Sequence, residues 1–93
     1  EDARNACKIA FINALAIIKK ETGSINNVDY IVQLKGYINS SDGFTDQPKV
    51  LNGASDFAFE IFGDAGKHSR IAIGVNELPL NSVCEIEMIV KLK

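Results

Sequence analysis

The sequence predicts a mixed α/β domain with two helices packed on one face of a mixed sheet. Two stretches carry apolar residues at three- and four-residue steps, and three others are rich in β-branched residues with alternating partners. They follow one another in the order α-β-α-β-β. A helix between the first two strands and a short turn before the last make both helices on one face the economical packing. At 93 residues, 46% hydrophobic and 24% charged, the chain 1–93 is one small globular domain.

The first helix is expected over residues 2–21. Ala3, Ala6, Cys7, Ala10, Ala14, Ile17 and Ile18 form its apolar stripe, widened by Phe11 and Leu15. So many alanines imply close packing on the sheet. Glu1 and Asp2 suit the positive end of a helix already under way. Lys19 and Lys20 form a solvated last turn, and Gly23 is the expected stop. Because the first residue is not methionine, the chain is expected to begin inside a longer protein.

Residues 28–39 read as a long strand. Val28, Tyr30, Val32, Leu34 and Ile38 fall on one face by strict alternation, with Asp29, Ile31, Gln33, Lys35 and Tyr37 on the other. A loop rich in turn residues follows over 40–46. The second helix is expected over 48–62, with Pro48 in its first turn and Thr45 or Asp46 as its cap. Its stripe is Val50, Leu51, Ala54, Phe57, Ala58, Ile61 and Phe62. Gly53 inside it costs about 1 kcal/mol relative to alanine, which either a close packing contact or a ligand would offset. Gly63 ends this helix, and residues 64–67 make a tight loop.

The last third carries two strands. In the first, Ile71, Ile73 and Val75 alternate with Arg70, Ala72 and Gly74, so the β-branched set is expected to face the core. In the second, Cys84, Ile86, Met88, Val90 and Leu92 are the apolar set, opposite Val83, Glu85, Glu87, Ile89 and Lys91. If residues 76–82 form a simple turn, the two strands are antiparallel neighbours and Arg70, Glu85 and Glu87 share a face. One register puts Arg70 opposite Glu87 and diagonal to Glu85, roughly 7–8 Å away. That gap suits a small carboxylate and a water, with Ala72 and Gly74 leaving floor space. The plainer alternative is a surface cross-strand salt bridge worth about 0–1 kcal/mol. The face away from the helices, expected to carry Ile31, Tyr37, Ala72, Gly74, Val83 and Ile89, is too apolar to be simply wet and predicts a partner, most simply a closed homo-oligomer.

Several function classes are disfavoured. The net charge is −2 with no basic cluster, whereas a nucleic-acid surface normally shows a basic stripe. No apolar run approaches the ~20 residues of a membrane span. No secretory signal is evident, so the expected location is cytoplasmic. One histidine and two separated cysteines give no zinc spacing, and neither a Walker A loop nor a dinucleotide glycine motif occurs, so no metal or cofactor is expected. Cys7 and Cys84 read as buried structural thiols; a disulfide would need an oxidising compartment that nothing else suggests.

Arg70, then Leu78-Pro79, then Cys84-Glu85-Ile86-Glu87 resembles the signature of the RidA (YjgF-like) reactive intermediate deaminase family, also called the L-PSP endoribonuclease family. The run Asn52-Gly53-Ala54-Ser55-Asp56, Phe62-Gly63 and Gly66-x-His68-x-Arg70 looks like one branch of it. The resemblance covers the whole chain and implies a chorismate-mutase-like fold whose opening strands, with a cleft-lining aromatic residue, are missing. The chain would then be the C-terminal two-thirds of such a domain. It further implies a homotrimer with ligand clefts between subunits and no cofactor.

The family's chemistry is hydrolysis of 2-imino or enamine acids, such as 2-aminoacrylate, to 2-oxo acids and ammonia. By motif position Arg70 would hold the substrate carboxylate and Glu85 would position the water, as the catalytic pair. The backbone at Ala72 would help bind the ligand, and Glu87 is either a helper or a strand-edge ion pair. His68 stands where many active members have proline, and is either a pocket acid–base group or a hydrogen-bonded loop histidine. Ser55 falls near a helix position that bears asparagine in many deaminases; it either lines the cleft or bonds within its own helix. Ala72 replaces a frequent cysteine. Two alternatives to the deaminase stand: a non-catalytic trimeric protein that binds small carboxylates, and, on the family's older naming alone, a ribonuclease or translation inhibitor.

Overall fold

A computed structural model describes residues 2–93 of the chain. The helix start expected at Glu1 lies outside the described residues. Helix α1 runs Asp2–Thr22, strand β1 Val28–Asn39, helix α2 Gln47–Phe62, strand β2 Ser69–Val75 and strand β3 Cys84–Leu92. Gly23, at φ 94°, ends α1 with its N–H on the Lys19 carbonyl at 2.8 Å. Gly63, at φ 61°, ends α2 and turns the chain into a 3₁₀ turn, Gly63–Gly66. Both glycines take the left-handed region that other residues enter at a cost. Asp46 occupies the cap position of α2, but its side chain makes no capping bond.

The sheet order is β2-β1-β3, with β1 parallel to β2 and antiparallel to β3. The expected neighbouring of β2 and β3 is therefore corrected: the long central strand separates them. Residues 76–83 do not form a hairpin turn. They cross the end of β1, where Asn39 donates its N–H to the Val83 carbonyl and Ser40 to that of Val75, both at 2.9 Å. Eight residues easily cover the roughly 10 Å of two strand spacings, so the chain gains two full ladders on β1 instead of one between shorter strands.

The face assignments of β1 and β2 also change. Against β3, the pairs Val28–Leu92 and Tyr30–Lys91, then Ile31–Val90 and Gln33–Ile89, each leave one extra β1 residue. These two bulges, at Asp29 and Val32, each reverse the alternation. Ile31 is thereby buried, and Tyr30 and Val32 are exposed. In β2, register pairs Leu34, Gly36 and Ile38 with Arg70, Ala72 and Gly74. Arg70 thus faces the helices, and Ile71 and Ile73 face away. The small residues belong beneath α2 because space is short there: a Cβ on Gly74 would lie 2.4 Å from Gln47 Nε2.

The core lies between the sheet and both helices. Cys7, Phe11 and Leu15 of α1 meet Val50, Leu51, Ala54 and Ala58 of α2 over Ile31, Leu34 and Ile38. Cys84, Ile86, Met88 and Val90 of β3 pack against this cluster, on the face the sequence predicts. Gly53 is explained by packing: a Cβ there would sit 2.0 Å from the Arg4 carbonyl oxygen of α1. The outer face carries Lys35, Tyr37, Ile71, Ile73, Glu85, Glu87 and Ile89. Among the described residues, no helix is long and apolar enough to cross a membrane.

Candidate functional site

Helix α2 places Pro48, Asn52 and Ser55 on one side at steps of four and three residues. The 3₁₀ turn after Gly63 then brings the chain back beneath them. Gly66 is held so close to α2 that a Cβ would meet the Ala58 carbonyl oxygen at 2.3 Å. That approach delivers His68 and Arg70 to the same side of α2. Asn52, Ser55, Phe59, Gly66, Lys67, His68 and Arg70 line a cleft of about 300 Å³.

The polar groups form a directed chain. Arg70 Nη1 donates to Asn52 Oδ1 at 2.7 Å and to Ser55 Oγ at 3.1 Å, and Nη2 donates to the Pro48 carbonyl at 3.3 Å. Ser55 Oγ lies 3.0 Å from His68 Nε2, and His68 Nδ1 lies 2.6 Å from the Gly66 carbonyl oxygen. A carbonyl only accepts, so Nδ1 carries the proton of the neutral ring. Nε2 is then the acceptor, and Ser55 turns its hydroxyl hydrogen towards it.

A guanidinium has five N–H donors. The three contacts above leave the Nε–H and one Nη2–H of Arg70 without a partner among the described residues. Two donors in one plane suit a bidentate carboxylate. Lys67, paired with Asp64 at 3.4 Å, adds a second positive charge, and none of the lining residues is acidic. The cleft therefore favours small anions even though the chain's net charge is −2.

Of the residues singled out in the sequence, Arg70, Ser55 and His68 come together. Ala72 lies two residues along β2 on the same face, half-buried against the core rather than in the cleft. Glu85 and Glu87 sit on the outer face, paired in register with Tyr37 and Lys35. Tyr37 Oη is 3.5 Å from Glu87 Oε1. Glu87 thus has a cross-strand partner, but not Arg70, and the shared Arg70–Glu85–Glu87 face is corrected. Asn52 and Lys67 are site residues that the sequence reading did not assign. The spacing of Asn52 and Ser55 along α2 was the available signal for the first.

The titrating groups with marked shifts lie elsewhere, in the cysteine pair. Cys7 Sγ and Cys84 Sγ are hydrogen-bonded to each other at 2.8 Å. That bond, burial, and the negative charge of ionised Cys7 and of Glu85 push the Cys84 thiol far above its ordinary range. The same bond lowers the Cys7 thiol against the opposing effect of burial. Both thiols are free.

The family described as "YjgF/chorismate_mutase-like, putative endoribonuclease" matches residues 1–92. Protein TCP17 of Trypanosoma cruzi is 35% identical over 91 residues, 97% of this chain and 55% of that protein. Among solved structures, protein Atu1372 of Agrobacterium tumefaciens superposes with a TM-score of 0.94 at 33% identity, over 97% of this chain and 58% of the other. A "putative endoribonuclease" of Shewanella oneidensis gives 0.93 at 37% identity, over 98% and 60%. The chain thus spans little more than half the length of each of these relatives.

Proposed function

The chain belongs to the YjgF/chorismate mutase-like family, and from that premise we propose that it is the C-terminal part of an enamine/imine deaminase. Its substrates are small 2-imino acids, hydrolysed to 2-oxo acids and ammonia. The observation that carries this reading is the Arg70 guanidinium, fixed by Asn52, Ser55 and Pro48 with two donors still open to a carboxylate. A short 2-imino acid anchored there has its imine carbon one bond from the bound carboxylate, at the level of Ser55 and His68.

Glu85, the carboxylate that resembles the family's water-positioning residue, lies on the other side of this chain's own sheet. In our reading it reaches an Arg70 cleft of a second copy. The outer face, with Ile71, Ile73 and Ile89 each 42–50% exposed, supplies the apolar surface for that association. The assembly we propose is a homotrimer. Free thiols at Cys7 and Cys84 suit a reducing, cytoplasmic compartment.

The test is hydrolysis of 2-iminobutyrate, generated in situ, by the full-length protein and its Arg70→Ala variant. Acceleration lost in the variant supports the reading; no acceleration by an intact oligomer overturns it. The distance of Glu85 from the cleft favours one second reading, a carboxylate-binding protein without turnover. It predicts 2-oxobutyrate binding that needs Arg70 and no deamination. An RNA-cleaving role draws only on the descriptions of the family and of the Shewanella relative. Two cationic side chains in one small cleft offer little to a phosphate backbone, and salt-dependent RNA binding by the pure protein is the observation that would revive it.

A further inference from the structure

We propose that Ser55 and His68 form the proton-transfer unit of the Arg70 cleft, an inference that rests on the deaminase reading above. Ser55 Oγ contacts the substrate or its attacking water, and His68 Nε2 stores the proton behind it. The two hydrogen bonds of His68 have opposite sense. The Gly66 carbonyl takes the Nδ1 hydrogen at 2.6 Å, which leaves a basic lone pair on Nε2, 3.0 Å from Ser55 Oγ. This is the base-and-orienter arrangement that activates hydroxyl groups on unrelated folds.

Ser55 has one hydrogen and two lone pairs. The hydrogen points to Nε2, and one lone pair accepts from Arg70 Nη1 at 3.1 Å. The second lone pair is open to the cleft that Ser55 lines. A carboxylate on the free donors of Arg70 brings the imine carbon beside this hydroxyl, because both bind the same guanidinium.

The proton balance closes without a further reactant. Water adds to the carbon of the protonated imine; a C–O bond forms, and the C=N π pair moves to nitrogen. The excess proton of the attacking water passes to Ser55 Oγ as the serine proton moves to Nε2. The imidazolium returns that proton through Ser55 to the amino nitrogen. The C–N bond breaks with its electron pair on nitrogen as ammonia leaves, the hydroxyl proton passes to that ammonia, and the carbonyl forms. The sum is protonated imine and water in, 2-oxo acid and ammonium out.

His68 is the chain's only histidine. The groups that line the cleft with it are Asn52, Ser55 and Phe59 of α2, all uncharged, Lys67 of the preceding turn and Arg70 of β2. Lys67 is itself tied to Asp64. Within one chain no carboxylate lines the cleft, and Glu85 of a second copy enters our reading only to position the water. A histidine that merely fastened its loop would have the same two bonds, but its loss would affect stability and leave the chemistry alone.

The experiment follows 2-iminobutyrate hydrolysis against pH with the full-length protein. His68→Gln and Ser55→Ala are each expected to lower kcat about 100-fold; in His68→Gln, which leaves the bonds of Arg70 intact, KM for the imine and Kd for 2-oxobutyrate stay within about twofold of wild type, whereas Ser55→Ala also removes a bond from Arg70 and weakens binding. The acid limb of kcat, where protonated Nε2 no longer accepts from Ser55, is expected to vanish in His68→Gln. Ser55→Thr restores most of what Ser55→Ala loses. Turnover within threefold of wild type in a folded His68→Gln or Ser55→Ala protein overturns the relay alone. Absence of turnover in the wild type overturns the deaminase reading and the relay together. If His68→Gln fails to fold, Ser55→Ala and the ring ¹⁵N spectrum of wild type decide: the Nδ1–H tautomer is expected, and an Nε2–H tautomer overturns the proposal.

Discussion

Arg70 and Glu85 stand on opposite faces of one three-stranded sheet, Arg70 under helix α2 and Glu85 beside Tyr37 on the outer face. If both serve one active site, they come from different copies. Mixing Arg70→Ala with Glu85→Gln subunits tests this directly. Each variant alone is expected to be nearly inactive. Equal random mixing places an intact Arg70 against an intact Glu85 in about one site in four, so about a quarter of wild-type activity should return. Mixtures as dead as their components, after subunit exchange is verified by mass, would place both residues in one chain's site or remove Glu85 from the chemistry.

Arg70→Lys separates charge from geometry. An ammonium keeps the positive charge but loses the planar fork and cannot hold Asn52, Ser55 and Pro48 together. Titration calorimetry with 2-oxobutyrate is expected to show affinity lower by about 10- to 100-fold, which corresponds to about 1.4–2.8 kcal/mol. Affinity preserved in Arg70→Lys would mean that the cleft recognises charge alone.

Local features of this chain were legible in its sequence because local chemistry fixes them. The helical stripes, Gly23 and Gly63 placed both helices to within a residue or two, and β1 began and ended where alternation and turn residues said. Arg70 stood out as a charge among small strand residues, and Ser55 and His68 only through the family resemblance; the fold brings the three side chains together. What failed was non-local. The bulges at Asp29 and Val32 exist only through pairing with β3, and they moved Ile31 into the core. The β-branched run Ile71–Ile73 pointed to the wrong face, because the outer face also carries apolar residues and strand order decides which side meets the helices. The same strand order took Glu85 away from Arg70.

Gly53→Ala tests helix-to-helix packing. Alanine should favour α2 by about 1 kcal/mol on propensity alone. Its methyl group, however, would stand 2.0 Å from the Arg4 backbone oxygen, which can move only with α1. Overpacking against backbone typically costs about 1–3 kcal/mol, so urea denaturation should show net destabilisation. A more stable Gly53→Ala protein would mean that α1 can shift freely on α2.

The thiol pair gives a pH dependence with a definite sign. Cys84 is held protonated in the fold by its bond to Cys7 and by burial. Its stabilising contribution is complete below the ordinary thiol value of 9.0 and is lost as pH rises above it, where the unfolded chain releases a proton that the folded chain keeps. Cys7, shifted the other way, adds stability as pH approaches that value from below and no slope beyond it. Relative to a Cys7→Ala, Cys84→Ala double variant, the denaturation midpoint of wild type should therefore fall as pH rises above that value. Oxidation tests the same pair differently. A small disulfide such as oxidised glutathione should exchange into a Cys7–Cys84 bond, releasing two small thiols and tying α1 to β3 across 77 positions of chain. Closing so long a loop is expected to stabilise the fold by about 4 kcal/mol in the chain-entropy view. Mass spectrometry of the alkylated protein reads the bond. A mixed disulfide that stops at Cys84 would show that Cys7, wholly buried beneath α1, cannot turn its sulfur to complete the exchange.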